Sequence, residues 1–181
     1  MNKISIIPDS SFFICFLDDI EKPQLMIDLL NSESFSFIVG MITFKEIQKS
    51  KNFIEIERQS RQKITIYDYF EYSEVVKMFF SESELKKGEH EVFIISFIQS
   101  FSKDPFITIL DDENAKKFFK TNIPEKATSV IGTVGFIRLC SCKCKVFIKE
   151  VAIDILESIK QSKFFVPVSI IDATIEDIRA C

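Results

Sequence analysis

The sequence contains few of the residues that mark extended, disordered or secreted chains. Its 181 residues include no Trp, one His, four Gly and five Pro, which leaves little room for long linkers or low-complexity tails. A basic excess is also missing, because 23 Lys and Arg stand against 27 Asp and Glu. Proteins that bind DNA without sequence preference normally carry such an excess. Local binding of nucleic acid stays open, since net charge does not describe how charge is distributed.

Long hydrophobic runs and a disulfide pattern are absent as well. The longest apolar stretch, 35–44, has about ten residues, whereas a membrane-spanning helix needs about twenty. No signal-peptide pattern opens the sequence, so we expect a cytoplasmic protein with no membrane partner. Five Cys is an odd number, and without a secretory signal it predicts reduced thiols. Cys140, Cys142 and Cys144 lack the usual zinc spacing, and the pattern leaves their role open.

The patterns that are present predict one α/β domain over residues 1–181, with the C-terminal helices (about 149–181) packing as an extension. A hydrophobic fraction of 46% and a charged fraction of 28% are globular values, and the length suits one core. Short apolar runs alternate with helical patterns, which favours a three-layer α/β/α fold with a mostly parallel central sheet of about five strands. The predicted strands are 4–8, 35–39, 64–69, 106–110 and 127–131.

Local signals predict the helices between these strands. Ser10 and Ser11 are good caps for a first helix, and Thr43 with Glu46 has the spacing of a capping box. Pro23 suits a first helical turn. The predicted helices are 12–17, one from Pro23, one from Thr43, 71–80, 89–101, 112–120, 134–139, 149–161 and 169–179.

Acidic residues follow the predicted strands at several places. Asp9 ends the first strand, and Asp111 and Asp112 end the strand over 106–110. Glu46 and Glu89 lie in the first turns of two helices. Because the carboxyl ends of parallel strands share one edge of a sheet, four segments could deliver carboxylates to one cleft. With 27 acids in the chain, each one alone is more often a cap or a solvated side chain, and only their joint placement carries weight.

Clustered carboxylates repel one another unless protons or a cation neutralise them. Mg²⁺ or Mn²⁺ is the natural counter-charge for oxygen ligands. Such an ion activates water and stabilises the leaving oxygen of a phosphodiester, and helix N-termini at the same edge favour phosphate. The pattern therefore predicts a metal-dependent phosphodiesterase site.

Five segments, in this order, resemble the motifs of the PIN-domain ribonucleases, in particular the toxin-like subgroup close to the VapC-like toxins. ISIIPDSSFFICFL resembles the opening motif, and MITFKEI resembles the second motif. LKKGEHEVFIISF is similar to the "GE-x-E-x-I" helix, ITILDDENAKKF to the "LIDD" segment, and IGTVGFIRLCSCKCKVFIKEV to the "GT-x-G" helix with its linker. The resemblance covers nearly the whole chain.

The resemblance implies a Mg²⁺- or Mn²⁺-dependent endoribonuclease, a hydrolase that cleaves single-stranded RNA. Carried over by position, it makes Asp9, Glu46 and Glu89 metal ligands. The fourth acid is Asp111 or Asp112, and Asp112 fits the toxin motif better. The supporting residues that it implies are Ser10, Glu91 and Thr133. His90 is interpreted as a helix-surface residue.

The same resemblance implies partners and leaves alternatives open. Toxin-like PIN domains self-associate and are silenced by an antitoxin protein, so we expect a homodimer, an antitoxin and an RNA substrate. Phe12, Phe13 and Phe16 could form such a surface, although core packing is the favoured interpretation. A catalytically inactive PIN-like interaction module remains the alternative. A receiver-like domain and a haloacid-dehalogenase-type phosphatase fit less well, because Gly40 follows the second strand and Asp9-Ser10-Ser11 lacks a second Asp.

Overall fold

The computed structural model describes residues 3–67 and 87–181. Within them, a five-stranded sheet forms the centre of the molecule. Its strands are β1 (Ile4–Pro8), β2 (Phe35–Gly40), β3 (Ile64–Tyr67), β4 (Phe106–Ile109) and β5 (Val130–Ile131). Every neighbouring pair is parallel, in the order β3-β2-β1-β4-β5. The predicted α/β class with a parallel sheet of five strands is therefore confirmed.

Helices cover both faces of this sheet. They are α1 (Ser10–Ile14), α2 (Pro23–Asn31), α3 (Met41–Ile47), α4 (Phe53–Gln59), α5 (Lys87–Ser100), α6 (Glu113–Asn122), α7 (Thr133–Cys142), α8 (Lys149–Gln161) and α9 (Val168–Ala180). A π-helix, Cys15–Asp19, continues α1, and 3₁₀ turns lie at Arg61–Lys63 and Pro124–Ser129. The last turn replaces the first half of the predicted strand 127–131. The predicted helix 71–80 and residues 68–69 of the third predicted strand lie outside the described residues.

The central strands are buried on both faces, as their continuous apolar runs predict. Ile6 and Phe37 contribute to a larger core, whereas their neighbours Ile7 and Ile38 contribute to a smaller one. Successive side chains of a strand point to opposite faces, so each strand feeds both cores. Helices α1 to α4 and α7 to α9 supply the larger core, and α5 and α6 supply the smaller one. This arrangement is the three-layer α/β/α fold that the sequence predicts.

The phenylalanines of the first helix are core residues. Phe12, Phe13 and Phe16 are fully buried, and the Phe12 ring packs edge-on against Phe13, Phe16 and Phe136. Edge-to-face pairs of this kind contribute beyond their buried area. The idea that these side chains form a partner surface was therefore wrong, and the favoured interpretation, core packing, is confirmed.

The C-terminal helices are tied to the rest of the chain by a covalent bond. Cys142, the last residue of α7, forms a disulfide with Cys181, the final residue. The expectation of reduced thiols was wrong for this pair, because folding brings together two positions that are 39 residues apart. Cys15, Cys140 and Cys144 remain thiols.

Within 3–67 and 87–181, no helix combines the length and the apolar character needed to cross a membrane.

Candidate active site

The chain reverses its direction of travel across the sheet between β1 and β4. From β1 it proceeds outward to β2 and β3, and it then returns to β4 and β5 on the other side. The carboxyl ends of β1 and β4 are adjacent, with Pro8 paired to Ile109. The loops that follow them depart in opposite directions and leave a crevice, which is where open parallel sheets bind ligands. Topology alone therefore places Asp9 and Asp111 at the favoured position for a site.

The carboxylate of Asp9 caps α1. Its Oδ1 accepts hydrogen bonds from the N–H of Ser11 at 2.7 Å, the hydroxyl of Ser11 at 2.5 Å and the N–H of Phe12 at 3.4 Å. The prediction that Ser10 and Ser11 cap this helix was wrong, because Asp9 already occupies the cap position and Ser10 is the first helical residue. In the part of the chain that the structure describes, no donor reaches the other oxygen of Asp9, Oδ2.

Asp111 is held by the start of α7 and by Ser11. Its Oδ1 accepts from the N–H of Thr133 at 2.9 Å, and its Oδ2 accepts from the Thr133 hydroxyl at 2.6 Å. The hydroxyl of Ser11 lies 3.3 Å from the same Oδ2. Ser11 therefore stands between the two carboxylates. Gly132 permits this approach, since a Cβ there would lie 2.9 Å from Asp111 Oδ1.

Asp9 sits in an environment that disfavours its charge. Burial raises its pKa to about 6, and the nearby Asp111 carboxylate acts in the same direction. The hydrogen bonds from Ser11 and Phe12 oppose the shift, because they stabilise the ionised form. A buried carboxyl beside a second one binds a proton or a cation more readily than an isolated carboxylate does.

Two further predicted acids line the same cleft as Asp9 and Asp111. Glu89, from the first turn of α5, and Asp112 border a cavity of about 550 Å³ together with that pair. Asp112 is also the N-cap of α6, where its Oδ1 accepts the N–H of Ala115 at 2.9 Å. The structure thus brings four of the predicted acids to one cleft, and it gives Asp111 and Asp112 different local roles.

Glu91 forms a separate, buried feature at the start of α3. It is fully buried, and its two oxygens accept the N–H groups of Ile42 and Thr43 at 2.9 and 2.8 Å. Burial raises its pKa, and these backbone hydrogen bonds oppose that shift. Gly40 makes room for it, because a Cβ there would lie 1.7 Å from Glu91 Cδ.

The capping box predicted for Thr43 and Glu46 was therefore wrong. Helix α3 begins at Met41 with Gly40 as its N-cap, and a carboxylate from another helix, Glu91, accepts the N–H groups of Ile42 and Thr43 in its first turn. Glu46 lies in the same neighbourhood, since its charge raises the pKa of Glu91. A Cβ on Gly88 would lie 3.6 Å from Glu46 Oε2, so Glu46 reaches the start of α5, one residue before Glu89.

His90 lies between these acids and is 7% exposed. Its interpretation as a helix-surface residue was therefore wrong.

The acids have the oxygen chemistry that Mg²⁺ and Mn²⁺ prefer. Asp9 lines a cleft together with Glu89, Asp111 and Asp112, so the chemistry of the donor set fits such an ion. In residues 3–67 and 87–181, however, no three His, Cys, Asp or Glu side chains already converge in a metal-binding arrangement. Binding of an ion would require side-chain adjustment around the Asp9–Asp111 pair.

Sequence reasoning missed three contributors to this region: Ser11 as a bridge between two acids, Gly40 as the space for Glu91, and Phe165 on the wall of the cleft. Only the contact between Ser11 and Asp9 had a local signal, because an Asp side chain commonly accepts the backbone N–H two residues further on.

No family model matches this sequence, and neither a curated protein nor a solved structure matches it. Assignment of a function therefore rests on the residues and geometry of the chain itself.

Proposed function

We propose that this protein is a divalent-metal-dependent endoribonuclease that cleaves single-stranded RNA, as its resemblance to PIN-domain nucleases implies. The observation that carries the proposal is the Asp9–Asp111 pair at the crevice between β1 and β4, with Glu89 and Asp112 on the same cleft. Asp9 and Asp112 also cap helices and Asp111 also accepts from Thr133, so the support lies in their joint placement at one cleft.

The chain's own residues supply the positioning. Asp9 would bind Mg²⁺ or Mn²⁺ through its unbonded oxygen, with Asp111 or Asp112 and Glu89 completing the set. The Ser11 hydroxyl donates to Asp9 and the Thr133 hydroxyl donates to Asp111, and these hydrogen bonds hold the two carboxylates in place. A bound ion would supply a more acidic water and positive charge for the phosphodiester. Glu46, beside Glu91, would act from the edge of the site.

A second candidate, a non-catalytic interaction module with the same fold, is favoured by one specific observation. Both oxygens of Asp111 already accept hydrogen bonds from Thr133, as a purely structural corner between β4 and α7 would require. If the protein is such an interaction module, the acids shape the crevice and bind no ion.

A cytoplasmic location, a homodimer and an antitoxin protein remain predictions of the first candidate, the endoribonuclease.

A cleavage assay separates the two. Unstructured and hairpin RNAs are incubated with the wild-type protein, with Mn²⁺ and with EDTA, beside Asp9→Asn. We expect cleavage of the unstructured RNA with Mn²⁺ only. The cleavage rate should fall about a hundredfold or more in Asp9→Asn, which corresponds to about 2.7 kcal/mol of activation barrier. Asp28→Asn, at an exposed position on α2, is the matched control and should cleave normally. Equal cleavage by both variants would refute the nuclease assignment.

A further inference from the structure

A second cavity opens beside the acid cleft. It encloses about 580 Å³ between α6, the start of α7 and the segment that leads into α9. Asp111, Glu113 and Phe165 line both cavities, so the two spaces are neighbours with a shared wall. The volume lies within the range of pockets that hold small organic groups.

Phe165 stands at the boundary of these two spaces. It is 94% exposed, whereas Phe12, Phe37 and Phe93 are buried in the cores. Within the described residues, no other aromatic ring packs against it. Its ring therefore offers an open face to whatever enters from the acid cleft, and it contributes almost nothing to folding in that position.

Cationic side chains also line the two cavities. Lys116 and Lys120 line it from α6, and Lys163 lines the acid cleft next to Phe165. Lys116 is only 19% exposed and is paired with Glu113 at 2.7 Å. A Cβ on Gly132 would lie 3.5 Å from its Nζ, so this ammonium is directed toward the start of α7 and Asp111.

An exposed ring combined with nearby lysines is the combination by which proteins bind single-stranded nucleic acid, through base stacking and contacts to phosphate. We propose that the second cavity holds a nucleobase of single-stranded RNA next to the scissile bond. Phe165 stacks on the base, and Lys116 and Lys120 contact the backbone. This inference rests on the proposed function and adds to it the residues that select a single strand.

Binding is measured separately from cleavage. A fluorescent, unstructured RNA is titrated with the protein in an Asp9→Asn background, and its anisotropy is recorded. We expect Phe165→Ala to raise Kd about tenfold, as loss of one stacked base does, and Phe165→Tyr to retain binding. Phe101→Ala is the matched control, because Phe101 is 76% exposed but is not among the residues that line either cavity. It should change Kd by less than about twofold.

Two further variants test the cavity and the cations. Gly135 lines the cavity, and a Cβ there would make only an ordinary contact at 3.6 Å with Ile131. Gly135→Leu should therefore fill the space and weaken binding about as much as Phe165→Ala, whereas Gly135→Ala should not. Lys120→Gln should lower the slope of log Kd against log salt by about 0.7, the value for one phosphate contact on a single strand.

The outcomes are distinguishable. If the wild type cleaves RNA but Phe165→Ala binds and cleaves with unchanged Kd and KM, this inference is wrong and the proposed function stands. If RNA binds in a Phe165-dependent manner but is never cleaved, the function is wrong and the inference stands. If Phe165→Ala alters self-association by light scattering while RNA binding is unchanged, the surface serves a protein partner and the inference is overturned.

Discussion

The carboxylates around Asp9 and Asp111 and the carboxylate of Glu91 differ in what surrounds them. Around Asp9 and Asp111, hydroxyl and backbone donors make hydrogen bonds to the carboxylate oxygens, and both residues also line an open cleft. Around Glu91, two backbone N–H groups take one oxygen each, and no surface is exposed. Acidic side chains close together thus have two outcomes in one fold: Glu91 stabilises a helix start, whereas the Asp9–Asp111 pair faces space that a ligand can occupy.

The largest expected effect comes from removing the buried acid. Glu91→Ala leaves the N–H groups of Ile42 and Thr43 without their acceptors, so we expect the free energy of unfolding to fall by about 3 kcal/mol or more. Urea denaturation measures this loss. The control is Glu57→Ala at an exposed position of α4, which should lie within about 0.5 kcal/mol of the wild type.

Gly40 provides an internal check on this result. Gly40→Ala forces a Cβ against Glu91, and it should destabilise the wild type strongly. In the Glu91→Ala background the same change should cost less, because the space is vacated and the two positions are coupled. Additive losses in the double variant would show that Glu91 does not occupy this position in solution.

Removing a charge from the Asp9–Asp111 pair should increase the free energy of unfolding. In Asp9→Asn, a neutral side chain replaces a carboxyl whose pKa burial raises to about 6. Because this pKa is raised, the stabilising contribution of Asp9 is fully present below the ordinary carboxyl pKa, and it is lost as the pH rises through about 6. At pH 8 without divalent ions, the variant should therefore exceed the wild type in stability by up to about 3 kcal/mol.

Thermal unfolding at pH 4 and pH 8 checks this prediction. The gap between Asp9→Asn and the wild type should close for the most part at pH 4, because Asp9 is then protonated in the folded wild type and about half protonated in the unfolded chain, whose carboxyl has the ordinary pKa of 3.8. Added Mn²⁺ should stabilise the wild type at pH 8 and not the variant, since only the wild type offers a charged ligand. A wild type that is more stable than the variant at pH 8 in EDTA would contradict the electrostatic account.

The smallest expected effect comes from removing the Ser11 hydroxyl, which lies between Asp9 and Asp111. Ser11→Ala removes the donor between Asp9 and Asp111 and should cost about 1 kcal/mol. It should also raise the pKa of Asp9 further, because a hydrogen bond that favours the charged form is lost. NMR titration of the Asp9 carboxyl measures this shift. Ser10→Ala, at the neighbouring hydroxyl, should leave the Asp9 titration unchanged.

The parts of this arrangement that were predictable follow from regular geometry. Asp9 and Asp111 directly follow apolar strands, and neighbouring parallel strands bring their ends together whatever the side chains are. The apolar runs themselves predicted a sheet covered on both faces. These inferences needed only local periodicity and the rules that govern parallel connections.

The parts that failed depend on contacts between distant segments. Thr43 and Glu46 have capping-box spacing, but Glu91 accepts from the N–H groups of Ile42 and Thr43 and comes from a helix far along the chain. No local pattern identifies such an acceptor. Cys142 and Cys181 likewise meet only after α8 and α9 have folded back on α7. His90 was predicted to lie on the surface because its neighbours in the sequence, Glu89 and Glu91, are acidic, but its side chain is buried.

The disulfide between Cys142 and Cys181 turns the last 40 residues into a closed ring that includes Phe165 and one part of the wall of the second cavity. A protease that cuts at the exposed Lys163 would therefore open this ring without releasing a fragment, and two pieces would separate on a gel only after reduction. Bonds of this kind persist in oxidising compartments and are rare in the cytosol. In a reducing compartment, no covalent bond would join the two pieces after the same cut, and the C-terminal piece would carry Phe165 and the other cavity-lining residues within 165–174.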